Sequence, residues 1–198
     1  MHVLMVSGGI KQDVGGGVQT IVDHLSRYLI ENGHEVTIIT RRLHLEDKAQ
    51  EEIDGIKIYR FTSPPKGSVF YFLYPVFSIL FGAVTFRKIL RDGNRIDILH
   101  YHTPFPAFGV ELATNTQVAR RVFTFHSPRS KEYEIDTKGF LKISFLKRLF
   151  VWFVSRVERF VISHSDIVVI LSDFMRHQIK EVHGCCQSIS KIPSGVDV

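Results

Sequence analysis

Val3-Leu4-Met5-Val6, then Ser7-Gly8-Gly9 and, a short loop later, Gly15-Gly16-Gly17-Val18, decide how this chain folds. The apolar run has no polar alternation, so it reads as a strand covered on both faces. The glycines punctuate the exit from that strand. From Val18 the period changes: Val18, Ile21, Val22, Leu25 and Leu29 fall on one helical stripe. Gly33 stands where a C-terminal cap is expected. A buried strand, a glycine loop and an amphipathic helix form the first half of a βαβ unit.

The rest of the chain repeats that alternation. Strands are expected at Glu35–Thr40, Ile56–Phe61, Ile96–Tyr101, Arg121–Phe125, Asp166–Leu171 and Ile189–Ile192. Helices are expected over 70–91, 105–116, 139–164 and 173–183, and Glu46–Asp54 reads as an acidic loop. Apolar strands alternating with helices predict an α/β fold, a Rossmann-like parallel sheet with helices on both faces. In such sheets ligands meet the carboxyl ends of the strands. The residues expected to face a site are therefore Ser7–Gly17, Thr40-Arg41, His100–Thr103, His126–Arg129 and Ser172-Asp173.

The 198 residues fit one domain of ordinary composition, 44% hydrophobic and 23% charged. The only cysteines, Cys185 and Cys186, are adjacent, which makes a poor cross-link and points to a reducing compartment. The N-terminal apolar run is too short for a signal-peptide core. A net charge of +5 suits nucleic acid, an anionic bilayer, a phosphorylated small molecule or an ordinary solvated surface.

Ser68–Phe86 carries no charge and is rich in aromatics. Its length is within reach of a membrane span, but Pro75, Ser78 and Gly82 interrupt it and it joins two strands of one sheet. A buried crossover helix is the expectation, with presentation of aromatics to a membrane surface as the alternative. Phe140–Phe160 mixes Phe145, Leu149, Trp152 and Phe153 with Lys147, Arg148, Arg156 and Arg159, and supports that alternative.

Four groups of residues could carry chemistry. Gly15, Gly16 and Gly17 let the backbone approach a ligand, and the following helix offers free N–H groups to a phosphate or a sugar hydroxyl. A flexible loop without a ligand is the plain alternative. A dinucleotide fingerprint fails because Thr20 stands where a third glycine belongs and Arg41 follows the second strand, leaving only a weak NADP reading. His100 and His102 share a strand face. They either shape a site by hydrogen bonding or begin a metal site that would need Glu111 or His126 from elsewhere. His126 ends an apolar strand ahead of Pro128. It could hydrogen-bond a substrate hydroxyl, move a proton near neutral pH, or be a capped surface residue. Ser172 follows a later strand. His164, His177 and His183 read as structural or solvated.

These motifs, in this order, resemble the N-terminal domain of GT-B glycosyltransferases of family 4, the group 1 glycosyltransferases. The carriers are the glycine loop, Gly33-His34-Glu35-Val36, Asp97-Ile98-Leu99-His100-Tyr101-His102, Thr124-Phe125-His126, Ser172 and Pro193-Ser194-Gly195-Val196-Asp197. The resemblance implies retaining transfer of a sugar from a nucleotide-sugar donor to a sugar or lipid-linked acceptor. It implies no cofactor, no essential metal and no nucleic-acid partner. It places Gly16 and Gly17 against the donor diphosphate and acceptor, His126 near the donor sugar and reaction centre as the catalytic residue and His102 in the cleft, and it counts Gly15 and Ser172 among the residues that bind substrate or the donor diphosphate. Residues 1–192 are then the acceptor-side domain and 193–198 the start of a linker to a donor-binding domain, without which the chain is expected to be inactive. A cytoplasmic enzyme, peripheral at the inner membrane surface, is the implied setting. A stand-alone nucleotide-binding or regulatory module is the alternative.

Overall fold

A computed structural model describes residues 1–11, 13, 15–44, 46–65, 68–114, 120–136, 144–184 and 188–193. The Cys185-Cys186 pair, the linker from Ser194, residues 139–143 of one expected helix and 115–116 of another lie outside the described residues. The chain divides into two compact units, Met1–Val122 and Phe123–Val198.

The first unit holds β1 (His2–Val6), α1 (Gly17–Glu31), β2 (Glu35–Arg41), β3 (Gln50–Ile53), β4 (Ile56–Phe61), α2 (Tyr74–Arg91), β5 (Ile98–Tyr101) and α3 (Pro104–Ala113). Its strands lie in the order β3-β4-β2-β1-β5. β1 pairs parallel with β2 and with β5, and β2 pairs parallel with β4. Val3 and Met5 pack with Val36, Ile38, Ile56 and Ile58 against Val18, Val22, Leu25 and Leu29 of α1. Alternation sends Leu4 and Val6 to the other face, and they are equally buried. The uninterrupted apolar run of β1 thus has its cause in a sheet covered on both sides. α1 ends in a Schellman motif: Gly33 takes φ +76, its N–H bonds the Ile30 carbonyl at 2.9 Å, and His34 N–H bonds the Leu29 carbonyl at 3.0 Å.

The acidic segment differs from the sequence reading. Gln50–Ile53 is a strand, antiparallel to β4, and it makes the sheet mixed at this edge. Asp54 (φ 51) and Gly55 (φ 77) form the two-residue turn. An Asp-Gly pair with both φ positive is the hairpin turn whose twist matches the strands.

α2 is the crossover helix between β4 and β5, preceded by a 3-10 turn at Val69–Leu73. Gly82 and Gly109 set its distance from α3. A Cβ on Gly82 would stand 3.0 Å from the Pro106 carbonyl oxygen. One on Gly109 would overlap the Ile79 carbonyl oxygen and stand 2.8 Å from its carbon. Tyr74, Ser78, Phe86 and Ile89 are buried, while Phe70, Phe72, Val76, Leu80 and Val84 are exposed. Among the described residues, Phe70–Arg91 is one helical stretch long and apolar enough to cross a membrane.

β6 (Arg120–Phe125) leads into the second unit, which holds α4 (Arg129–Asp136), α5 (Ser144–His164), β7 (Ile167–Ile170), α6 (Asp173–His183) and β8 (Ile189–Lys191). β7 and β8 pair parallel, Val168 opposite Ile189. Phe123, Phe125, Val154, Val157, Val161, Ile162, Val168, Ile170 and Ile179 are buried apolar residues of this unit. The eight strands are mainly parallel and alternate with helices, the α/β Rossmann-like arrangement.

Candidate functional site

In the first unit, the site grows from the end of β1. Ser7 Oγ donates to the Gly9 carbonyl at 2.7 Å and turns the chain out of the sheet. Gly16 is the N-cap of α1, in extended backbone and with no side-chain cap. The Thr20 N–H reaches the Gly16 carbonyl at 2.9 Å. The amides of Gly17, Val18 and Gln19 precede the first intrahelical bond, and the first turn carries no acid. A Cβ on Gly15 or Gly17 would meet nothing within 4 Å, and one on Gly16 would meet only the Gln19 side chain. These glycines make a bare, exposed ledge at the positive end of a helix.

Two residues that the sequence reading missed hold that loop. Arg60 on β4 donates to Asp13, Nε to Oδ2 at 3.2 Å and Nη2 to Oδ1 at 3.1 Å, and also bonds Glu51 of the hairpin. Asp13 lies in the glycine loop, and both side chains of the pair are almost fully buried. A bidentate buried pair fixes the loop to β4, next to the edge strand. The partners are far apart in sequence, and only the Arg-carboxylate chemistry could have hinted at them.

His100 and His102 do share a face, with ring centroids 4.3 Å apart. The His102 N–H bonds the Val6 carbonyl at 2.9 Å, and its side chain is buried. Next to it, Thr103 Cγ2 would lie 3.2 Å from a Cβ on Gly8. The start of the glycine loop and the His102-Thr103 corner therefore meet at the carboxyl ends of β1 and β5. Tyr101 points the other way. Its hydroxyl donates to Glu111 at 2.5 Å, Arg121 Nε bonds the same carboxylate at 3.0 Å, and burial drives the phenol pKa far up. Glu111 is thus engaged on the opposite face from the two histidines. It does not serve as the third metal ligand that the sequence left open. Among the described residues, no group of three His, Cys, Asp or Glu could hold a metal ion.

In the second unit, His126 follows β6 and is partly buried. Burial, with the Arg129 guanidinium nearby and only partial compensation from Glu132, pushes its pKa down to about 4. At neutral pH the imidazole is uncharged, with one N–H donor and one acceptor nitrogen. That suits hydrogen bonding to a hydroxyl. It does not suit the proton transfer near neutral pH that the sequence left open. The segment after His126 is braced. Ser127 Oγ bonds Glu132, Arg129 bonds Glu132 at 2.5 Å, and the Arg129 N–H donates to Glu158 Oε1 at 3.1 Å. Glu158 is fully buried and pairs through Oε2 with His183 Nε2 at 3.0 Å, which gives His183 a structural role. Ser172 is the N-cap of α6, its Oγ accepting from the Met175 N–H at 3.4 Å.

Proteins of known structure share this fold. The solved sucrose-phosphate synthase of Thermosynechococcus elongatus is similar in fold, with a TM-score of 0.72 at 15% identity over 99% of this chain and 48% of that one. The Anabaena HepE protein, solved with UDP-glucose, is similar with a TM-score of 0.59 at 15% identity over 100% of this chain and 44% of that one. The GPI3 subunit of the Saccharomyces cerevisiae phosphatidylinositol N-acetylglucosaminyltransferase is 34% identical over 116 residues, 57% of this chain and 24% of the relative. The chain therefore spans about half the length of the solved structures and about a quarter of the curated relative. The fold is that of the GT-B glycosyltransferases. The model of Glycosyltransferase Family 4 matches residues 15–198, from the first ledge glycine through both candidate histidines, and the chain belongs to that family.

Proposed function

We propose that this chain is the acceptor-side part of an enzyme that moves a sugar from a nucleotide-sugar to an acceptor with retention. A second domain grips most of the donor, and without it the chain is inactive or nearly so. The observation that carries this reading is the family match beginning at Gly15 and running through His102, His126 and Ser172. The UDP-glucose of the similar Anabaena protein supports a nucleotide-sugar donor.

Each residue has a role that its geometry suits. The bare ledge at Gly15, Gly16 and Gly17 brings backbone amides and a helix dipole to the donor diphosphate, whose charge grows as the sugar leaves. Neutral His126 hydrogen-bonds a hydroxyl of the donor sugar and orients it. His102 shapes the acceptor side of the ledge, and Ser172 keeps α6 capped while offering its hydroxyl proton. No cofactor or metal enters, and nucleic acid is not a partner. The yeast relative is by name a phosphatidylinositol glycosyltransferase, which favours a lipid-linked acceptor over a free sugar. The setting is cytoplasmic, with peripheral contact at the inner membrane surface.

The test is a screen of nucleotide-sugars with the whole enzyme, the product anomer being read by NMR. Transfer with the donor's anomeric configuration kept is expected. Inversion would remove the retaining mechanism, and binding of NADP in place of every nucleotide-sugar would remove the transferase reading.

A further inference from the structure

The outer face of α5 has a composition that no part of the site uses. At about 100° per residue, Phe145, Arg148, Leu149, Trp152, Arg156 and Arg159 fall within an arc of roughly 100°. All six are exposed, with Phe145 at 70%, Leu149 at 51% and Trp152 at 55%. The opposite arc holds Val154, Val157, Glu158, Val161 and Ile162, all buried. The helix carries one acid, Glu158, which is fully buried between the Arg129 N–H and His183. The exposed face is therefore cationic and apolar without a compensating carboxylate of its own helix. Arg156 lies over the Trp152 ring at 5.2 Å, so this guanidinium and indole form one amphipathic unit.

We infer that this face of α5 docks the protein onto an anionic lipid bilayer, with Phe145, Leu149 and Trp152 entering the headgroup boundary and Arg148, Arg156 and Arg159 meeting lipid phosphates. The inference rests on the proposed membrane-bound acceptor and names the surface that would bring the enzyme to it. Charge complementarity selects the occupant. A protein partner would have to supply several acids around an aromatic pocket, whereas an anionic bilayer supplies both the charge and the apolar layer in one plane. A helix lying in that plane buries its aromatics without spanning, and the arginines reach outward along their stems.

Trp152 is the single tryptophan of these 198 residues, so the fluorescence difference between the parent and Trp152→Phe reads this face. The protein is mixed at low salt with vesicles of phosphatidylcholine alone or with phosphatidylserine added, and fluorescence and co-sedimentation are followed. A blue shift and sedimentation with the anionic vesicles only, both reversed by high salt, are expected. The triple variant Arg148→Gln, Arg156→Gln, Arg159→Gln should bind on the order of 100-fold more weakly, given three cations near the surface. Its thermal melting should be nearly unchanged, because all three residues are exposed and Arg156 gives up only a surface contact with Trp152. Trp152→Phe should keep sedimentation and lose the blue shift. Equal binding to neutral vesicles, full binding by the triple variant, or a Trp152 emission already blue-shifted without lipid and unmoved by it would overturn the inference. The last outcome would assign the face to another part of the polypeptide. Transfer to a soluble acceptor analogue is measured in parallel. Its loss in the unmodified enzyme would strike the transferase reading and leave the lipid surface standing.

Discussion

Glycine does opposite work at the two places where this fold concentrates it. At Gly82 and Gly109 the absent side chain is filled by the neighbouring helix, so that backbone rests on backbone. At Gly15 and Gly17 the absent side chain leaves open space at a helix start. None of the four has a positive φ, so backbone conformation explains neither case. The crossing between α2 and α3 needs its glycines for packing. The ledge has no packing reason for them, and close approach by a ligand is what they permit.

The largest effect should come from the support of the ledge. Arg60→Ala leaves the Asp13 carboxylate buried without its partner, and a loss of about 3–5 kcal/mol in unfolding free energy is expected. Urea denaturation checks it. Next, Gly109→Ala should cost about 3 kcal/mol, because the new methyl meets a carbonyl that two packed helices hold in place. If its thermal melting matches that of the parent, the crossing is looser than described.

Acid should also act unevenly. The His126 pKa, about 4, lies below the ordinary 6.5. The unfolded chain therefore takes up a proton first as pH falls. Stability from this group is complete above about pH 6.5 and declines toward pH 4, by at most about 3 kcal/mol. His126→Gln should flatten that decline. A decline of unchanged size in this variant would assign it to other groups. Smallest in stability is Gly17→Ala, expected within about 1 kcal/mol of the parent and on the stabilising side, since alanine suits a helix better. Turnover of the whole enzyme should nevertheless fall roughly tenfold if the ledge holds the donor diphosphate, because the methyl would crowd it. Unchanged turnover would make the ledge a plain loop.

Much of this was readable before the structure. The unbroken apolar run of β1, the stripe of α1 and the cap at Gly33 are local signals, and each found its expected place. The period of two put His100 and His102 together. β3 escaped notice because Gln50-Glu51-Glu52 is half in solvent at a sheet edge and shows little apolar pattern, although Asp54-Gly55 was the available clue. α4 escaped for a related reason. Arg129–Asp136 is strongly polar, and its start is held by Glu158 from another helix. The Arg60–Asp13 and Tyr101–Glu111–Arg121 contacts are tertiary, and no spacing rule announces them. The fall in the His126 pKa is likewise a property of burial, which residue type alone does not reveal.

The most direct measurement compares kcat/KM of the whole enzyme with that of His126→Ala, thermal melting being taken on both. A fall of about 100-fold or more with the melting temperature nearly kept is expected if neutral His126 orients the donor sugar. Turnover at the parent rate would contradict the assignment of this site.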